Sequence, residues 1–233
     1  MQSDIVASVR GAGKVYKSGD TEIIALKPTE IDLKRGELLL IIGPSGSGKT
    51  TLLSLLGCVI YPSQGEVVIN GVNTTTLKEN ALAKLRLHEI GFVFQQFNLI
   101  APLNAEDNIA MPLKLMGLSA SAIKTRVQEA LDLVRMADRR TNLPKQLSGG
   151  QQQRIAIARA LVTQPSLILC DEPTAALDGA SVDIVMNELR SLAEAGKAVA
   201  VVTHDMRLRQ FAHRIVYVDE GAVSETEPDN AMH

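Results

Sequence analysis

The sequence is poor in aromatic residues and has almost no excess charge of either sign. None of its 233 residues is Trp and only 3% are aromatic, so stacking platforms for single-stranded nucleic acid would be hard to build. The formal net charge of −2 gives no general attraction to a phosphate backbone. Both features argue against a nucleic-acid partner, and none is expected.

Cysteine is scarce, and long apolar runs are missing. Cys58 and Cys170 both lie in apolar stretches, where a reduced thiol behaves as a small buried hydrophobic group rather than as half of a disulfide. No apolar run approaches the roughly 20 residues that span a bilayer, and residues 1–9 lack the basic region and apolar core of a signal peptide. We expect the chain by itself to be cytoplasmic.

What is present is the composition and patterning of a globular α/β protein. Hydrophobic residues make up 45% of the chain and charged residues 21%, as in ordinary globular domains. Continuous or alternating apolar segments predict strands, and apolar residues at a spacing of 3.6 predict helices. The predicted strands cover 5–9, 23–33, 38–42, 65–70, 166–170, 198–202 and 214–218, and the predicted helices cover 50–56, 79–87, 121–134, 152–162 and 182–192. This alternation around a helical middle indicates a parallel α/β core with a helical insertion.

A glycine-rich segment follows the apolar run 38–42. Residues Gly43–Thr50 read GPSGSGKT and fit the pattern G-x-x-x-x-G-K-[ST] between a predicted buried strand and a predicted helix. The glycines let the backbone curl so that several N–H groups and the positive end of the helix face a polyphosphate. Lys49 adds a positive charge near the β- and γ-phosphates, and Thr50 offers a hydroxyl to Mg²⁺. The motif predicts a nucleoside triphosphate and leaves kinase, GTPase and ATPase open.

A second candidate site lies where the apolar strand 166–170 ends in Asp171 and Glu172. A carboxylate at the end of a strand next to the glycine-rich segment Gly43–Thr50, called the cradle below, can hold Mg²⁺, which is the role expected of Asp171. Glu172 beside it can orient and deprotonate an attacking water, and such general-base help is typically worth about 10²–10⁴ in rate. Acidic pairs are also common where a strand end meets solvent, so this motif alone leaves both interpretations open.

The segment Leu147–Gln151 reads LSGGQ and opens the predicted helix 152–162. Chemically it is a second anion site, because it presents a serine hydroxyl and two glycine N–H groups at a helix N-terminus. A serine-capped, glycine-rich helix start is also physically ordinary. Since one nucleotide needs only one cradle, a second site for a γ-phosphate makes sense if it serves the nucleotide held by a partner subunit.

With these three segments the chain resembles a nucleotide-binding subunit of the ABC transporter family, and the similarity covers nearly the whole chain. The resemblance implies an α/β fold: a P-loop NTPase core with a mainly parallel sheet, an N-terminal antiparallel β subdomain and a helical insertion subdomain. It implies one ABC ATPase domain over 1–233, with the core in 1–95 and 163–220, the helical insertion and LSGGQ in about 96–162, and a flexible tail in 221–233.

The resemblance assigns further residues to the site. Tyr16 resembles the aromatic residue that stacks on adenine, with a plain rim aromatic as the alternative. Gln95 resembles the loop glutamine that reaches Mg²⁺ and the attacking water and senses the membrane subunit, although Gln96 competes for that role. Asp178 lies in a segment, ALD, that resembles the loop crossing the dimer interface. His204 resembles the switch histidine that contacts the γ-phosphate, although a lone histidine is often structural.

The expected site therefore divides by role. The expected catalytic residues are Glu172, His204, Gln95 and Lys49, and the expected metal ligands are Thr50, Gln95 and Asp171. The expected nucleotide contacts are Tyr16, Gly43, Ser45, Gly46, Ser47, Gly48, Lys49, Thr50, Thr51, Asp171, Ser148, Gly149, Gly150, Gln151 and Asp178. The implied cofactors are ATP and Mg²⁺, with two ATP molecules sandwiched between two subunits arranged head to tail.

The resemblance also implies partners. They are a second copy of the chain, bound in an ATP-dependent homodimer, and a transmembrane permease that would hold both copies at the cytoplasmic face of the inner or plasma membrane. A periplasmic adaptor would be reached only through the permease. Segments 91–99 and 146–154, GFVFQQFNL and QLSGGQQQR, are similar to the lipoprotein-release and macrolide-efflux branch, which implies export. Residues 174–178 read TAALD, whereas that branch usually has Gly-Asn before Leu-Asp.

Several alternatives compete with an exporter ATPase. An importer ATPase shares the same motifs and stays open. A soluble ABC ATPase acting on DNA or ribosomes is less favoured, because the insertion between 95 and 147 is short and the chain has one ATPase unit. A GTPase is disfavoured since no Asn-Lys-x-Asp segment is present. An inactive regulatory subunit conflicts with the intact Lys49, Asp171, Glu172 and His204.

Overall fold

A computed structural model describes residues 4–19, 21–175, 177 and 179–227. Its strands are β1 (Ile5–Ser18), β2 (Thr21–Lys34), β3 (Glu37–Ile42), β4 (Gln64–Ile69), β5 (Val72–Asn73), β6 (Ile90–Val93), β7 (Leu167–Asp171), β8 (Ala198–Thr203), β9 (Arg214–Asp219) and β10 (Ala222–Ser224). Its α-helices are α1 (Lys49–Leu56), α2 (Glu79–Glu89), α3 (Ala105–Leu115), α4 (Ala120–Leu133), α5 (Gly149–Leu161) and α6 (Gly179–Glu194). Short 3₁₀ helices cover Thr74–Thr76, Ala137–Arg139, Pro144–Gln146 and Met206–Phe211.

Two sheets organise these elements. The antiparallel sheet has the strand order β2-β1-β4-β5, and the larger sheet has the order β10-β9-β3-β8-β7-β6. In the larger sheet β9, β3, β8, β7 and β6 run parallel, while β10 at the edge pairs antiparallel with β9. The predicted mainly parallel core and the antiparallel N-terminal subdomain are therefore confirmed.

The middle strands of the parallel sheet are buried on both faces, as their continuous apolar sequences predict. All six residues of β8 are buried, and the side chains of β3 alternate between two hydrophobic cores. Leu38 and Leu40 pack into one core with α3, α4, α5 and α6. Leu39 and Ile41 pack into the other with α1 and the antiparallel sheet. The helical insertion and the antiparallel sheet thus cover opposite faces of the same strands.

The register of the parallel strands brings distant segments to one edge of the sheet. Ile42 of β3 pairs with Thr203 of β8, and Asp171 of β7 pairs with Val202 of β8. Because parallel strands end at the same edge, the loops that follow β3, β7 and β8 leave the sheet side by side. This edge is where ligands bind in open α/β sheets.

Several elements of the fold were not expected from the sequence, including β5, β6, α3 and β10. Helix α3 contains Pro112, a residue that lacks an N–H and is disfavoured inside helices; the helix begins at the cap Asn104, whose Oδ1 accepts from Asp107 N at 2.8 Å. The expected frayed tail beyond Gly221 is wrong for its first residues, because Ala222–Ser224 form β10 against β9. Residues 228–233 of that tail lie outside the described residues.

The described residues contain no helix long and apolar enough to cross a bilayer. Cys58 and Cys170 are buried free thiols. Burial raises the pKa of both thiols, so both stay protonated at neutral pH, and they pack as small hydrophobic groups.

Candidate nucleotide site

The loop after β3 holds the ammonium group of Lys49 within a curl of backbone. Its Nζ donates to the carbonyl oxygens of Gly43 at 2.7 Å and Pro44 at 2.8 Å, and the residue is 7% exposed. Burial lowers the pKa of Lys49, while the charges of Glu172 and Asp171 raise it. The loop therefore positions one cation between its own carbonyl groups and two carboxylates.

Two glycines let this loop approach its supports closely. A Cβ on Gly43 would lie 2.1 Å from the carbonyl oxygen of Val218, and a Cβ on Gly48 would lie 2.4 Å from that of Ala25. Gly48 is also the N-cap of α1, with a φ of 111°, which disfavours any residue with a side chain. Another residue at either position would force the loop away from β9 or β2.

The remaining residues of the cradle differ in their environment. Ser47 is buried, and its Oγ has no hydrogen-bond partner within the described residues, which is uncommon for a buried hydroxyl. Ser45, Gly46 and Thr50 are exposed, and Thr51 is half-buried. The cradle thus contains one buried hydroxyl that has no partner in the described part of the chain, and several groups open to a ligand.

The turn at Gly221 braces the cradle, and sequence reasoning missed it. Gly221 N donates to the carbonyl oxygen of Ser47 at 2.8 Å, and Gly221 O accepts from Lys27 N at 2.7 Å. The turn between β9 and β10 is therefore tied both to the cradle and to β2. The dipeptide Glu220-Gly221 after a predicted strand is a turn signal, but nothing local in the sequence indicates its partner.

We predict that Gly221→Ala raises the KM for ATP about tenfold, the equivalent of ~1.4 kcal/mol. Gly221 has a φ of 76°, and its Cβ would lie 3.3 Å from Lys27 N, so the turn must shift and the support of Ser47 shifts with it. Gly71→Ala is the matched control, since Gly71 has a φ of 78° with open space around its Cβ. Steady-state kinetics and thermal melts of both variants test this: equal KM values would contradict the bracing role.

Asp171 and Glu172 lie at the end of β7, beside the cradle. Burial and the charge of Glu172 raise the pKa of Asp171, while Lys49 lowers it. Glu172 has a φ of 46°, an uncommon backbone conformation for a residue with a side chain. Its N–H donates to Val202 O at 3.0 Å, so the chain turns from β7 toward the end of β8.

The carboxylate of Glu172 is held by the loop after β8. Its Oε1 accepts from His204 N at 3.1 Å and lies 2.7 Å from His204 Nδ1. Its Oε2 accepts from Thr203 Oγ1 at 3.0 Å. The side chain of Glu172 is 13% exposed, whereas that of His204 is 68% exposed. The structure therefore brings together the cradle lysine, both predicted carboxylates and the predicted switch histidine.

The segment LSGGQ forms the first turn of α5, which begins at Gly149 rather than at the predicted Gln152. Ser148 is the N-cap: its Oγ accepts from Gln151 N at 3.3 Å, while Gln151 Oε1 accepts from Ser148 N at 2.9 Å. Ser148 is exposed, and Gly149, Gly150 and Gln151 are half-buried. This capping box explains the local shape and leaves the two glycine N–H groups at the positive end of the helix.

Gln95 and Gln96 lie exposed in the turn that follows β6, and the side chain of Gln95 makes no hydrogen bond within the described part of the chain. The loop continues through Phe97 and Asn98, whose φ values are 56° and 48°. Their carbonyl oxygens accept from the guanidinium of Arg159 on α5, at 2.8 Å and 2.6 Å. Arg159, which sequence reasoning missed, thus ties this loop to the helix that begins at LSGGQ.

Tyr16 lies on β1, opposite Ile23 of β2. Its side chain is 43% exposed, and Lys14 Nζ lies 5.2 Å from the centroid of its ring. Ile23 is 54% exposed, so the two residues form a small apolar surface on the antiparallel sheet. The remaining predicted nucleotide contact, Asp178, lies outside the described residues.

Comparison with known proteins identifies the family. A family model described as ABC transporter matches residues 26–175, which include the cradle, LSGGQ and the Asp-Glu pair. The chain belongs to the ABC transporter family. As an ATP-binding cassette of that family it is an ATPase.

Two relatives and one solved structure are similar to this ABC cassette over most of its length. The uncharacterised ABC transporter ATP-binding protein MJ0796 of Methanocaldococcus jannaschii is 45% identical over 94% of this chain and 95% of that protein. Macrolide export ATP-binding/permease protein MacB 2 of Aeromonas hydrophila is 42% identical over 96% of this chain, but the match spans 34% of that protein. A dimeric post-hydrolysis structure of MJ0796 bound to ADP and Pi superposes with a TM-score of 0.86, at 41% identity, and covers 95% of this chain and 99% of that chain.

Proposed function

We propose that the chain is the ATP-driven subunit of a membrane exporter, which dimerises head to tail around two Mg-ATP molecules and drives a separate permease. One observation carries the proposal: four side chains of complementary chemistry meet at the carboxyl edge of the parallel sheet, Lys49, Asp171, Glu172 and His204. A cation, a metal-binding carboxylate, a base and a polar switch are what hydrolysis of a γ-phosphate requires. The dimer of MJ0796 with ADP and Pi and the export relative MacB 2 support the dimer and the direction.

ATP would bind with its phosphates on the cradle and its adenine against Tyr16. The N–H groups that begin α1 and the ammonium of Lys49 would offset the phosphate charge. Ser47 Oγ, buried and without a partner in the described residues, would gain an acceptor in a phosphate oxygen. The exposed ring of Tyr16 beside Ile23 would bury apolar area against a planar base. The proposed phosphate contacts are Gly43, Ser45, Gly46, Ser47, Gly48, Lys49, Thr50 and Thr51.

Mg²⁺ fits the oxygen donors of this site. The proposed ligands are the exposed hydroxyl of Thr50, the carboxylate of Asp171 and the amide oxygen of Gln95, and Mg²⁺ prefers such oxygen ligands. The Asp171 carboxylate accepts no hydrogen bond in the described part of the chain, and burial together with the charge of Glu172 raises its pKa. A divalent cation bound there would offset this repulsion and neutralise charge on the β- and γ-phosphates.

Hydrolysis joins a water oxygen to the γ-phosphorus and breaks the bond to ADP. In our proposal Glu172 accepts the proton that the water loses. His204, whose side chain is 68% exposed, has room to turn toward the γ-phosphate. This turn would remove the imidazole from Glu172 Oε1 and open a place for the water, while the His204 N–H would still donate to that oxygen. Gln95 would complete the site from the side of the helical insertion.

Each nucleotide would be shared between two copies of the chain. LSGGQ presents an exposed serine and the positive end of α5, so it can face the γ-phosphate bound to the partner's cradle. Residues Ser148, Gly149, Gly150 and Gln151 would supply these contacts, and Asp178 would lie at the same interface. When the dimer closes, the dipoles of both copies surround the phosphates of ATP. When hydrolysis releases the γ-phosphate, the contact between LSGGQ and the partner's nucleotide is lost, so the dimer opens.

A groove beside the Gln95 loop is the proposed docking site of the permease. It has a volume of about 630 Å³ and lies between α2, the end of β6, α3 and α5, where Arg86, Phe92, Phe94, Pro112, Leu115 and Arg159 line it. MacB 2 is named as an ATP-binding/permease protein, so in that relative the permease belongs to the same polypeptide. A permease segment with apolar and acidic side chains would match the phenylalanines and arginines of this groove, and Arg159 would pass its movement to the Gln95 loop.

We predict that Leu115→Glu abolishes capture of the permease. Leu115 is 70% exposed, and a charge there would have to be buried when a permease segment docks. Leu133→Glu is the matched control, because Leu133 is 56% exposed on α4 and does not line the groove. Co-purification of the permease from solubilised membranes measures the effect. Equal recovery of permease with both variants would contradict the assignment of the groove.

The proposed location is the cytoplasmic face of the inner or plasma membrane, where the permease would hold the dimer. The permease would also select the substrate and form the contact with any periplasmic adaptor. Mass spectrometry of the complex pulled down from membranes tests the exporter proposal. A co-purifying permease with a large extracytoplasmic domain is expected, and recovery with only ribosomal or DNA-bound proteins would overturn it.

A further inference from the structure

One buried hydroxyl lies between the proposed base and the loop that carries the switch histidine. Thr203, the last residue of β8, is fully buried. Its Oγ1 donates to Glu172 Oε2 at 3.0 Å and accepts from Asp205 N at 3.0 Å. The hydroxyl proton and an acceptor lone pair are both used, so this side chain joins Glu172 to the backbone of the switch loop.

The backbone of Glu172 does not fix the direction of its carboxylate. Its φ of 46° places the residue at a sharp turn, and its side chain leaves the end of β7 across the edge of the sheet. The contacts that orient the carboxylate come from residues 203 and 204 alone within the described residues. Of these, the imidazole of His204 is exposed and can move, whereas in this part of the chain the His204 N–H holds Oε1 and the hydroxyl of buried Thr203 alone holds Oε2.

We propose that Thr203 is the positioning residue of the ATPase: its hydroxyl fixes Glu172 Oε2, so that Oε1 points at the attacking water when His204 turns to the γ-phosphate. This inference rests on the proposed role of Glu172 as the base. Because a buried strand supplies the hydroxyl, the carboxylate keeps one orientation in the open and closed dimer. Loss of the hydroxyl would leave Oε2 without its donor and Asp205 N without its acceptor, and the carboxylate, then held only at Oε1 by His204, would rotate about that contact.

Thr203→Val removes the hydroxyl and keeps the shape of the side chain, so it tests the proposal in the full-length chain. The expected result is a kcat about 10- to 100-fold lower, the loss typical of one hydrogen bond to a charged group. The KM for ATP should stay within about twofold, because the partners of the Thr203 hydroxyl are Glu172 and Asp205 and not residues of the cradle. Thr203→Ser keeps the hydroxyl and should retain most of the wild-type kcat.

Two further variants separate the possible outcomes. Thr74→Val is the control for a buried threonine, since Thr74 Oγ1 donates to Val67 O at 2.9 Å in the antiparallel sheet; its kcat should match wild type. If Thr203→Val fails to fold, Thr203→Ala replaces it. Equal kcat values for Thr203→Val and Thr203→Ser, whether high or low, would overturn the positioning role. A wild-type kcat in Glu172→Gln would instead overturn the proposed base itself.

Discussion

Glu172→Gln is expected to lower the kcat for ATP hydrolysis by about 10²-fold or more, which is the contribution of a general base. Glutamine keeps the size of the side chain, but its single amide oxygen can accept from Thr203 or from His204 and not from both, and it cannot take a proton from water. ATP binding is expected to persist because Glu172 does not contact the cradle through any hydrogen bond in the described residues. The variant should therefore collect as an ATP-bound dimer, visible by size-exclusion chromatography with Mg-ATP.

Glu66→Gln provides the control for this experiment. Glu66 is exposed on β4, in the antiparallel sheet. Its replacement also converts a carboxylate to an amide, but away from the edge of the parallel sheet where the site lies. Its kcat and its elution volume should match those of wild type. A Glu172→Gln variant that elutes only as a monomer at saturating Mg-ATP would count against the shared nucleotide site, and one with wild-type kcat would remove Glu172 from catalysis.

Lys49→Ala is expected to weaken ATP binding about 10- to 100-fold, because the cradle loses a charge-assisted contact to the phosphates. The ammonium is buried against Gly43 and Pro44, so a flexible surface lysine cannot replace it. Its loss also leaves Asp171 and Glu172 without the cation that both face. Equilibrium binding of a fluorescent ATP analogue measures the change directly.

The control for Lys49→Ala is Lys124→Ala, which removes an exposed lysine of α4. It should bind the analogue as wild type does. Thermal melts of both variants show whether the loss of affinity arises from unfolding. Undiminished binding by a folded Lys49→Ala variant would exclude the lysine from the phosphate site.

The parallel core could be predicted because its signals are local. β3, β7 and β8 are short apolar runs bounded by turn residues. A strand that is buried on both faces has a continuous apolar sequence without polar alternation, and this pattern predicts a parallel sheet. The cradle could also be predicted, because a single contiguous motif contains it. The same motif includes the glycines that let the loop approach Val218 and Ala25 closely. The family resemblance is confirmed by the match over 26–175.

What escaped prediction depends on partners that are distant along the chain. The brace at Gly221 becomes visible only once β9 is placed beside β3, because its acceptor is the carbonyl of Ser47. The contact of Arg159 with the loop at Phe97 spans 62 residues. Helix α3 was missed for a local reason: Pro112 breaks the expected pattern, although the helix is packed against α5 and α4. Such contacts depend on strand register and helix packing, and the spacing of residues along the sequence does not reveal them.

The fold places the proposed catalytic residues at one edge of the parallel sheet and LSGGQ on a separate helix. The ends of β7 and β8 meet at the cradle, so the proposed metal ligand, base and switch belong to one sheet edge, while LSGGQ begins a helix of the insertion. In the proposed function such a chain contains two complementary half-sites. The capping box of Ser148 already satisfies the hydrogen bonds at the start of the LSGGQ helix. Its exposed serine and helix dipole are then available to a second copy.

The specific ATPase rate of the wild-type chain, measured without permease over falling protein concentration, tests this claim most directly. If each pocket is completed only by a second copy, the rate per chain must fall as the dimer dissociates and become proportional to concentration in the dilute limit. A rate per chain that stays constant down to concentrations at which light scattering detects only monomer would contradict the account.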